Sequence, residues 1–325
     1  MKIAVFGAGA TGGHFAALLA RAGAEVSVVV RGATLAAVRQ AGLTLRTDHG
    51  ELQASVQASD DARELGPQDL VLVTLKSHAL ADAADAMAPL LGVRTPVVFL
   101  QNGIPWWYHH AEGGLREGRR LPALDPRDRL WQAIGPERVI GGVTSSACTV
   151  VAPGVIEVRG GNRPLTLGEP SGQDTERLRT TAAVLRDAGF PVEATAAIRG
   201  AIWAKLAQNL ASGPMGVLAP VPMKELFAEQ VLIDARLRIQ AEVTAIALAE
   251  GCSMSMDFGA QMAFVRQSSH VPSIAQDAAE GRRMELESMF LAPLRLAREH
   301  GVATPTLDLL VALATLKARA LGLYP

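Results

Sequence analysis

The stretch that decides the fold runs from Lys2 to Gly13 and reads KIAVFGAGATGG. In it the short apolar run Ile3 to Phe6 meets a glycine-rich turn, and the residues from His14 to Arg21 have helical character until Gly23 ends them. Strand, tight turn and helix in this order predict the first half of a parallel βαβ unit.

Outward from this stretch, apolar runs alternate with helical segments up to about residue 196. Several runs are short and uninterrupted, as expected of strands buried on both faces of a parallel sheet: Val26 to Val30, Leu70 to Thr74 and Val97 to Leu100. Strand-like runs also fill Val139 to Leu167, and Val192 to Thr195 is the last predicted strand. Beyond residue 197 the sequence predicts helices only, at Arg199 to Ser212, Lys224 to Glu250, Asp257 to Gln267, Ala279 to His300 and Leu307 to Leu321.

The predicted fold class is therefore α/β, with an N-terminal Rossmann-type doubly wound sheet followed by an all-helical C-terminal domain. We place the two domains at residues 1–196 and 197–325. Residues Glu112 to Arg129 are expected to form an exposed loop inserted in the first domain. The aromatic run Trp106 to Tyr108 is interpreted as a buried loop anchor or interface patch, with a wall of the substrate pocket as the alternative.

Composition excludes several classes of protein. The 325 residues carry 31 Lys and Arg against 32 Asp and Glu with no basic block, so no nucleic-acid partner is expected. Cys148 and Cys252 lie far apart without metal-ligand spacing, so neither a disulfide framework nor a metal site is predicted. The longest uncharged runs contain glycine and proline, and the N-terminal run leads straight into turn residues. We expect a cytoplasmic protein with no membrane partner.

The glycine-rich turn predicts a dinucleotide site. Gly7 permits the tight turn, Gly9 leaves room for a pyrophosphate, and Gly12 lets the helix pack closely on the sheet. The free N–H groups and partial positive charge of the helix N-terminus attract the phosphates. The predicted cofactor-binding residues of this turn are Gly7, Ala8, Gly9, Ala10, Thr11 and Gly12.

Arg31 decides which dinucleotide is expected. It follows the second strand, where NAD-binding chains usually place a carboxylate for the ribose 2′-hydroxyl. A guanidinium instead suits a 2′-phosphate, so the predicted cofactor is NADP(H). Lys76 follows the Leu70 to Thr74 strand at the sheet edge where ligands bind, and we predict that it contacts the cofactor phosphate or a substrate acid.

Together with further motifs, these residues give the chain a resemblance to the ketopantoate reductase family over nearly its whole length. The motifs are the glycine-rich turn, Arg31, Val73-Thr74-Leu75-Lys76, Gln101-Asn102-Gly103, Trp203-Ala204-Lys205-Leu206-Ala207-Gln208-Asn209, and Ser273-Ile274-Ala275-Gln276-Asp277 followed by Gly281-Arg282 and Glu285. The resemblance implies NADPH-dependent reduction of a 2-keto acid, 2-dehydropantoate (ketopantoate) to (R)-pantoate, in pantothenate and coenzyme A biosynthesis.

The resemblance also implies roles for individual residues. Lys205 is the expected catalytic proton donor, which the alkoxide formed by hydride transfer requires, and Glu285 is implied to hold the substrate hydroxyl and orient the lysine. Asn209, one helical turn after Lys205, Ser273 and Asn102 are implied substrate-binding residues, with Asn102 against the cofactor as well. Two other interpretations stay open: Ser273 as a helix N-cap and Asn102 as part of an ordinary Asn-Gly turn.

The chain departs from the family pattern at three positions. Gly213 stands where members usually carry an asparagine before proline, and His270 and Pro272 stand where Asn and Ser are typical. These departures leave two alternative functions. The chain could be a paralogous reductase of a different 2-keto acid or ketone, or it could be a non-catalytic NADP(H)-sensing module. The oligomeric state is open, with a homodimer as one option.

Overall fold

The computed structural model describes residues 1–325, which fall into two compact units. The first comprises Met1–Gln101 and Trp106–Ile198, and the second comprises Asn102–Pro105 and Arg199–Pro325. The short segment Asn102–Pro105 thus belongs with the helical part of the chain, whereas the sequence analysis placed it in the first domain.

The first unit is built on an eight-stranded sheet with the order β12-β11-β8-β7-β6-β1-β2-β5. The pairs are parallel, apart from the antiparallel pair of β8 and β11. The strands are β1 Lys2–Phe6, β2 Glu25–Val29, β5 Gln57–Ser59, β6 Leu70–Val73, β7 Val97–Phe99, β8 Val139–Thr144, β11 Leu165–Gly168 and β12 Val192–Ala194. Because β1 and β6 are buried on both faces, their sequences are continuous apolar runs, and the predicted α/β class is confirmed.

A second sheet of four strands, with the order β4-β3-β10-β9, belongs to the same unit. Its strands are β3 Leu43–Thr47, β4 Gly50–Ala54, β9 Ala147–Ala152 and β10 Val155–Arg159. The first helix packs against it, and a Cβ at Gly13 would overlap the Ile156 side chain. The sequence indicated these strands individually and did not predict that they form a separate sheet.

Five helices complete the first unit: α1 Ala10–Arg21, α2 Gly32–Ala41, α3 Ser77–Met87, α4 Arg129–Ala133 and α5 Glu176–Asp187. Helices α1, α2 and α3 each begin just after a parallel strand ends, so their N-termini lie at the carboxyl edge of the sheet. This is the edge at which doubly wound sheets bind ligands.

The segment Glu112 to Arg129 is mostly exposed or half-buried and is anchored near its end by a buried carboxylate. The carboxylate of Asp125 is buried and accepts hydrogen bonds from the backbone N–H groups of Leu130 and Trp131 at 2.9 and 3.0 Å. Arg120 lies over the Trp131 ring, 3.3 Å from its centroid. The predicted exposed loop thus holds for most of the segment, and Leu124 and Asp125 are its buried exceptions.

The aromatic run Trp106 to Tyr108 lies in the core of the first unit, with each residue at most 2% exposed. Trp106 meets Phe99 and Trp131 edge to face, with ring centroids 5.5 and 5.9 Å apart. These contacts make the run a loop anchor, as the preferred interpretation of the sequence had it.

The second unit is helical: α6 Ile198–Leu210, whose first residue belongs to the first unit, α7 Gly213–Leu218, α8 Met223–Leu226, α9 Gln230–Ala249, α10 Phe258–Gln267, α11 Ser273–Ala279, α12 Ala292–Glu299 and α13 Pro305–Ala320. A π-helical segment, Glu287–Leu291, leads directly into α12. None of these helices is both long and apolar enough to span a membrane.

Two predicted helices differ from the structure. The predicted helix Lys224 to Glu250 is divided into α8 and α9, because a turn separates Leu226 from Gln230. The predicted helix Ala279 to His300 is interrupted between α11 and Leu286, where Gly281 has a φ of +66°. Glycine adopts this left-handed conformation readily, so the chain turns there and Glu285 precedes the next helix.

Candidate active site

The glycine-rich turn is shaped as a phosphate cradle. Gly7 has a φ of +97°, which favours glycine, and its N–H donates to the carbonyl oxygen of Val29 at 3.0 Å. A Cβ at Gly12 would overlap the carbonyl oxygen of Gly7 and the hydroxyl of Thr74. A Cβ at Gly9 would meet no atom within 4 Å. Glycine at position 12 is thus explained by packing, whereas at position 9 it leaves open space over the N-terminus of α1.

Two side chains outside the motif hold this edge of the sheet together. Thr74 donates its hydroxyl hydrogen to the carbonyl oxygen of Gly7. The amide of Gln101 donates to the carbonyl oxygens of Val73 and Leu75 at 2.9 and 3.2 Å. The sequence analysis quoted both residues within motifs without a role, and their structural role is to fix the ends of β1 and β6 around the turn.

Arg31 and Lys76 occupy equivalent positions at two strand ends. Arg31 is exposed at the N-cap position of α2, directly after β2 and Val30. Lys76 is at the N-cap position of α3, after β6. Both residues bring a positive charge to the edge of the sheet that carries the glycine-rich turn, and no carboxylate occupies position 31 to repel a phosphate.

In the second unit, Lys205 and Asn209 share one face of α6 because they lie four residues apart. Burial lowers the pKa of the Lys205 ammonium from its ordinary value of 10.5 to about 8. The Nδ2 atom of Asn209 is buried and has no hydrogen-bond partner. A buried donor without a partner is costly in a folded protein, so this amide is available to a ligand.

His270 and Ser273 lie on a loop fixed by backbone hydrogen bonds. The N–H of Met223 donates to the carbonyl oxygen of His270 at 3.0 Å, and the N–H of His270 donates to Ser268 Oγ at 3.2 Å. Partial burial lowers the pKa of the His270 imidazole, and the charge of Lys205 lowers it further. Ser273 is exposed as the first residue of α11, while Pro272 takes the N-cap position, so Ser273 is not the helix cap.

Glu285 and Asn102 belong to the same unit through a close backbone contact. Glu285 is 8% exposed and precedes the π-helical segment, and its carbonyl oxygen accepts the N–H of Met289 at 3.2 Å. The N–H of Ile104 donates to the carbonyl oxygen of Ser288 at 2.9 Å, and a Cβ at Gly103 would lie 2.8 Å from the Met289 nitrogen. Only glycine fits at position 103, where φ is +89°, so the glycine of the Asn-Gly pair fixes Asn102 next to the segment after Glu285.

Other members of the motif around Ser273 act as supports. Gln276 donates its amide hydrogen to the carbonyl oxygen of Val271 at 2.8 Å, which ties α11 to the preceding loop. Nε of Arg282 donates to the buried carboxylate of Asp277 at 2.9 Å, which closes the turn before Glu285. Sequence reasoning gave these residues no role, because their partners became apparent only in the folded chain.

Gly213, one of the departures from the family pattern, is buried at the start of α7. Gly213 is the first residue of α7 with Ser212 as N-cap, and it is not among the residues with positive φ. A Cβ there would lie 3.1 Å from Cζ of Phe290 and 3.4 Å from Cγ2 of Ile274. Gly213 is therefore a buried helix start that packs against an aromatic ring.

The sequence and the fold of the chain are similar to those of several known proteins. A family model described as "Ketopantoate reductase PanE/ApbA" matches residues 3–172, and its C-terminal counterpart matches residues 197–318. The chain is 41% identical over 326 residues to a 2-dehydropantoate 2-reductase of Mesorhizobium japonicum, with 100% of each chain covered. A crystal structure from Ralstonia solanacearum MolK2 assigned to the ketopantoate reductases is 38% identical, with 99% of each chain covered and a TM-score of 0.92. A D-mandelate dehydrogenase crystallised with NADH and anilino(oxo)acetate shares the fold, with 22% identity, 99% of each chain covered and a TM-score of 0.82.

Proposed function

The chain belongs to the ketopantoate reductase family, and from this premise we propose that it catalyses the NADPH-dependent reduction of 2-dehydropantoate to (R)-pantoate. The family matches and the full-length relative with 41% identity support an NADP-dependent oxidoreductase that takes a small 2-keto acid. The single observation that carries the reaction type is Lys205, whose buried ammonium has a pKa of about 8. The cytoplasmic location and a homodimer stay predictions that accompany this proposal.

The residues of the first unit fit a bound NADP(H). The open space over Gly9 and the tight packing at Gly12 leave the N-terminus of α1 accessible to a pyrophosphate. Ala8, Ala10 and Thr11 would line this turn with their backbone, and Arg31 would hold the 2′-phosphate with Lys76 as a second cation. When bound, the cofactor supplies the hydride.

In the proposed mechanism Lys205 donates a proton to the substrate oxygen. A carbonyl carbon that receives a hydride leaves negative charge on its oxygen, and an ammonium hydrogen-bonded to that oxygen stabilises it. A pKa of about 8 keeps Lys205 mostly protonated at neutral pH and makes it a better acid than a solvated lysine. The low pKa follows from burial, so desolvation tunes this residue for the reaction.

Four side chains of the second unit are proposed to bind and orient the substrate. The unpartnered Nδ2 of Asn209 and the exposed hydroxyl of Ser273 can each donate a hydrogen bond, to a hydroxyl and a carboxylate respectively. Asn102 is fixed by the Gly103 contact and offers a further amide, against cofactor and substrate. Glu285 can accept a hydrogen bond from the substrate hydroxyl and helps to orient Lys205.

A steady-state assay of NADPH oxidation with a panel of 2-keto acids tests the proposal. We expect the largest kcat/KM with 2-dehydropantoate. A larger value for another member of the panel would favour a paralogous reductase, since Gly213 and His270 depart from the usual pattern. NADPH binding without turnover on any substrate would favour a sensing module, although such a module has no need for Lys205 and Glu285.

A further inference from the structure

Arg236 on α9 is a buried cation without a counter-ion. Arg236 is 2% exposed. It takes part in none of the ion pairs, such as Arg177 with Glu169 or Arg282 with Asp277. Nη1 donates to the carbonyl oxygen of Ala211 at 3.4 Å, and Nε has no hydrogen-bond partner. The side-chain oxygen of Gln240, one turn along α9, is also buried without a partner. The guanidinium is therefore poorly satisfied by its surroundings.

No ion pair explains an arginine at this buried position. The guanidinium lies over the Phe227 ring, 5.1 Å from its centroid, and this cation–π contact supplies only part of what a counter-ion would. Burial lowers the pKa of Arg236 to about 10, so the side chain is still charged at neutral pH. Removing a charge from water without a counter-ion is unfavourable, and an apolar side chain of similar size is often neutral or stabilising in its place.

The guanidinium does contact the residue that directly follows α6, Ala211, through its carbonyl oxygen. The last carbonyl groups of a helix carry a partial negative charge and attract cations. At this end the N–H of Ala211 donates to the carbonyl oxygen of Ala207 at 3.2 Å, and Ser212 Oγ donates to that of Gln208 at 3.0 Å. The contact between Arg236 and the carbonyl oxygen of Ala211 adds the positive charge to this last turn.

We propose that Arg236 is a positioning residue that holds the last turn of α6 and thereby aims the carboxamide of Asn209 at the substrate. This inference rests on the proposed function, in which Asn209 binds the substrate. Because the Nδ2 of Asn209 has no partner inside the protein, its direction depends on the backbone of that turn. Lys205 lies one turn nearer the middle of the helix, where fraying is smaller, and is affected less.

The test compares Arg236→Met and Arg236→Lys with Arg238→Met, a control on an exposed arginine of the same helix. For Arg236→Met we expect KM for 2-dehydropantoate to rise roughly tenfold, the factor that one substrate hydrogen bond contributes, with kcat changed less than threefold. Its Tm stays equal or rises, because the unpaired charge is gone. Arg236→Lys keeps a cation and recovers most of the loss in KM, and Arg238→Met changes none of these values.

Amide hydrogen exchange supplies a readout that needs no turnover. Faster exchange at residues 207–213 in Arg236→Met, and not in Arg238→Met, supports the inference. Unchanged exchange or unchanged KM contradicts it, and so does a loss of folding in Arg236→Met, since the charge would then be required for stability. If the unmodified protein fails to reduce 2-dehydropantoate, the proposed function fails, and the exchange experiment still decides whether Arg236 holds the end of α6.

Discussion

A Cβ on Gly213 would lie 3.1 Å from Cζ of the buried Phe290, so this glycine leaves room for an aromatic ring. The resemblance described in the sequence analysis implies an asparagine at this position, and with it a substrate contact that Gly213 does not make. In the structure, the absence of a side chain at position 213 is explained by packing against Phe290. The ring of Phe290 occupies the direction in which an asparagine side chain would extend.

Gly213→Asn is therefore expected to destabilise the protein and to bring no gain with 2-dehydropantoate. Overpacking a buried position typically costs about 1–3 kcal/mol, and a polar amide against Phe290 finds no partner there. Thermal or urea unfolding measures the change, with Gly114→Asn as the control, since Gly114 is exposed, is not among the glycines with positive φ, and a Cβ there would meet only Oε1 of Glu112, at 3.7 Å. An unchanged stability together with a higher kcat/KM for 2-dehydropantoate would show that the amide reaches the substrate instead.

Gly9→Ala and Gly12→Ala are expected to fail in different ways. The first adds a methyl group into open space, so stability is retained while NADPH binding weakens by at least tenfold, about 1.4 kcal/mol, because the methyl meets the pyrophosphate. The second overlaps the Gly7 carbonyl oxygen and destabilises the fold. Measuring Tm and the NADPH dissociation constant of both variants separates a loss of stability from a loss of cofactor binding. Equal loss of Tm in the two would contradict the assignment of Gly9 to the cofactor.

Arg31→Ala should reduce the preference for NADPH over NADH. We expect a loss of roughly 1.5–3 kcal/mol in this preference, the range for a hydrogen bond to a charged group. The ratio of the dissociation constants for the two cofactors gives the value, with Arg21→Ala at the far end of α1 as the control. A preference that survives in Arg31→Ala would assign the 2′-phosphate to another cation, with Lys76 the next to test.

Lys205→Met should lower kcat by about 10²–10⁴-fold, the usual contribution of a positioned acid, while NADPH binding is retained. Its Tm at pH 7 should stay equal or rise, because the native pKa of about 8 lies below the ordinary 10.5 and the buried charge is unfavourable. Between pH 8 and pH 10.5 the Lys205 side chain binds more protons in the unfolded chain than in the native one. Lys205 therefore makes the free energy of unfolding increase with pH in this range. A near-normal kcat would remove Lys205 from the reaction.

The same pKa predicts the pH profile of the unmodified enzyme. Since the active form of Lys205 is the protonated one, kcat/KM should be retained below pH 8 and fall as the pH rises through about 8. Lys205→Arg keeps its charge throughout this range, so whatever activity it retains should not show that fall. A wild-type profile that stays flat to pH 10 would indicate that Lys205 does not act as the acid.

The sequence predicted the fold class and the glycine-rich turn because both depend on local patterns. The alternation of apolar runs and the Gly7 to Gly12 spacing are visible without any tertiary contact. The grouping of Asn102 with the helical unit was not predictable, since it depends on the approach of Gly103 to the backbone of Ser288, 185 residues away by the numbering. The break before Glu285 was missed for a similar reason, because apolar spacing continues through it while Gly281 and the ion pair of Asp277 with Arg282 turn the chain.

In the candidate site, too, the sequence predicted what depends on local spacing and missed what depends on tertiary contacts. Lys205 and Asn209 could be placed on one helix face from their spacing, but the lowered pKa of Lys205 depends on burial that only the folded chain provides. Arg236 gave no signal in the sequence, where it is one of two arginines on α9, with Arg238. Its importance follows from its burial without a counter-ion at the end of α6.

The central claim is hydride transfer to 2-dehydropantoate, and isotope transfer measures it most directly. The enzyme is incubated with NADPH that carries deuterium at C4 on the transferred face, and the product is analysed by mass spectrometry and chiral chromatography. We predict (R)-pantoate with one deuterium at C2 for every NADPH oxidised. NADPH oxidation without labelled pantoate, or no oxidation in the presence of 2-dehydropantoate, would contradict the account.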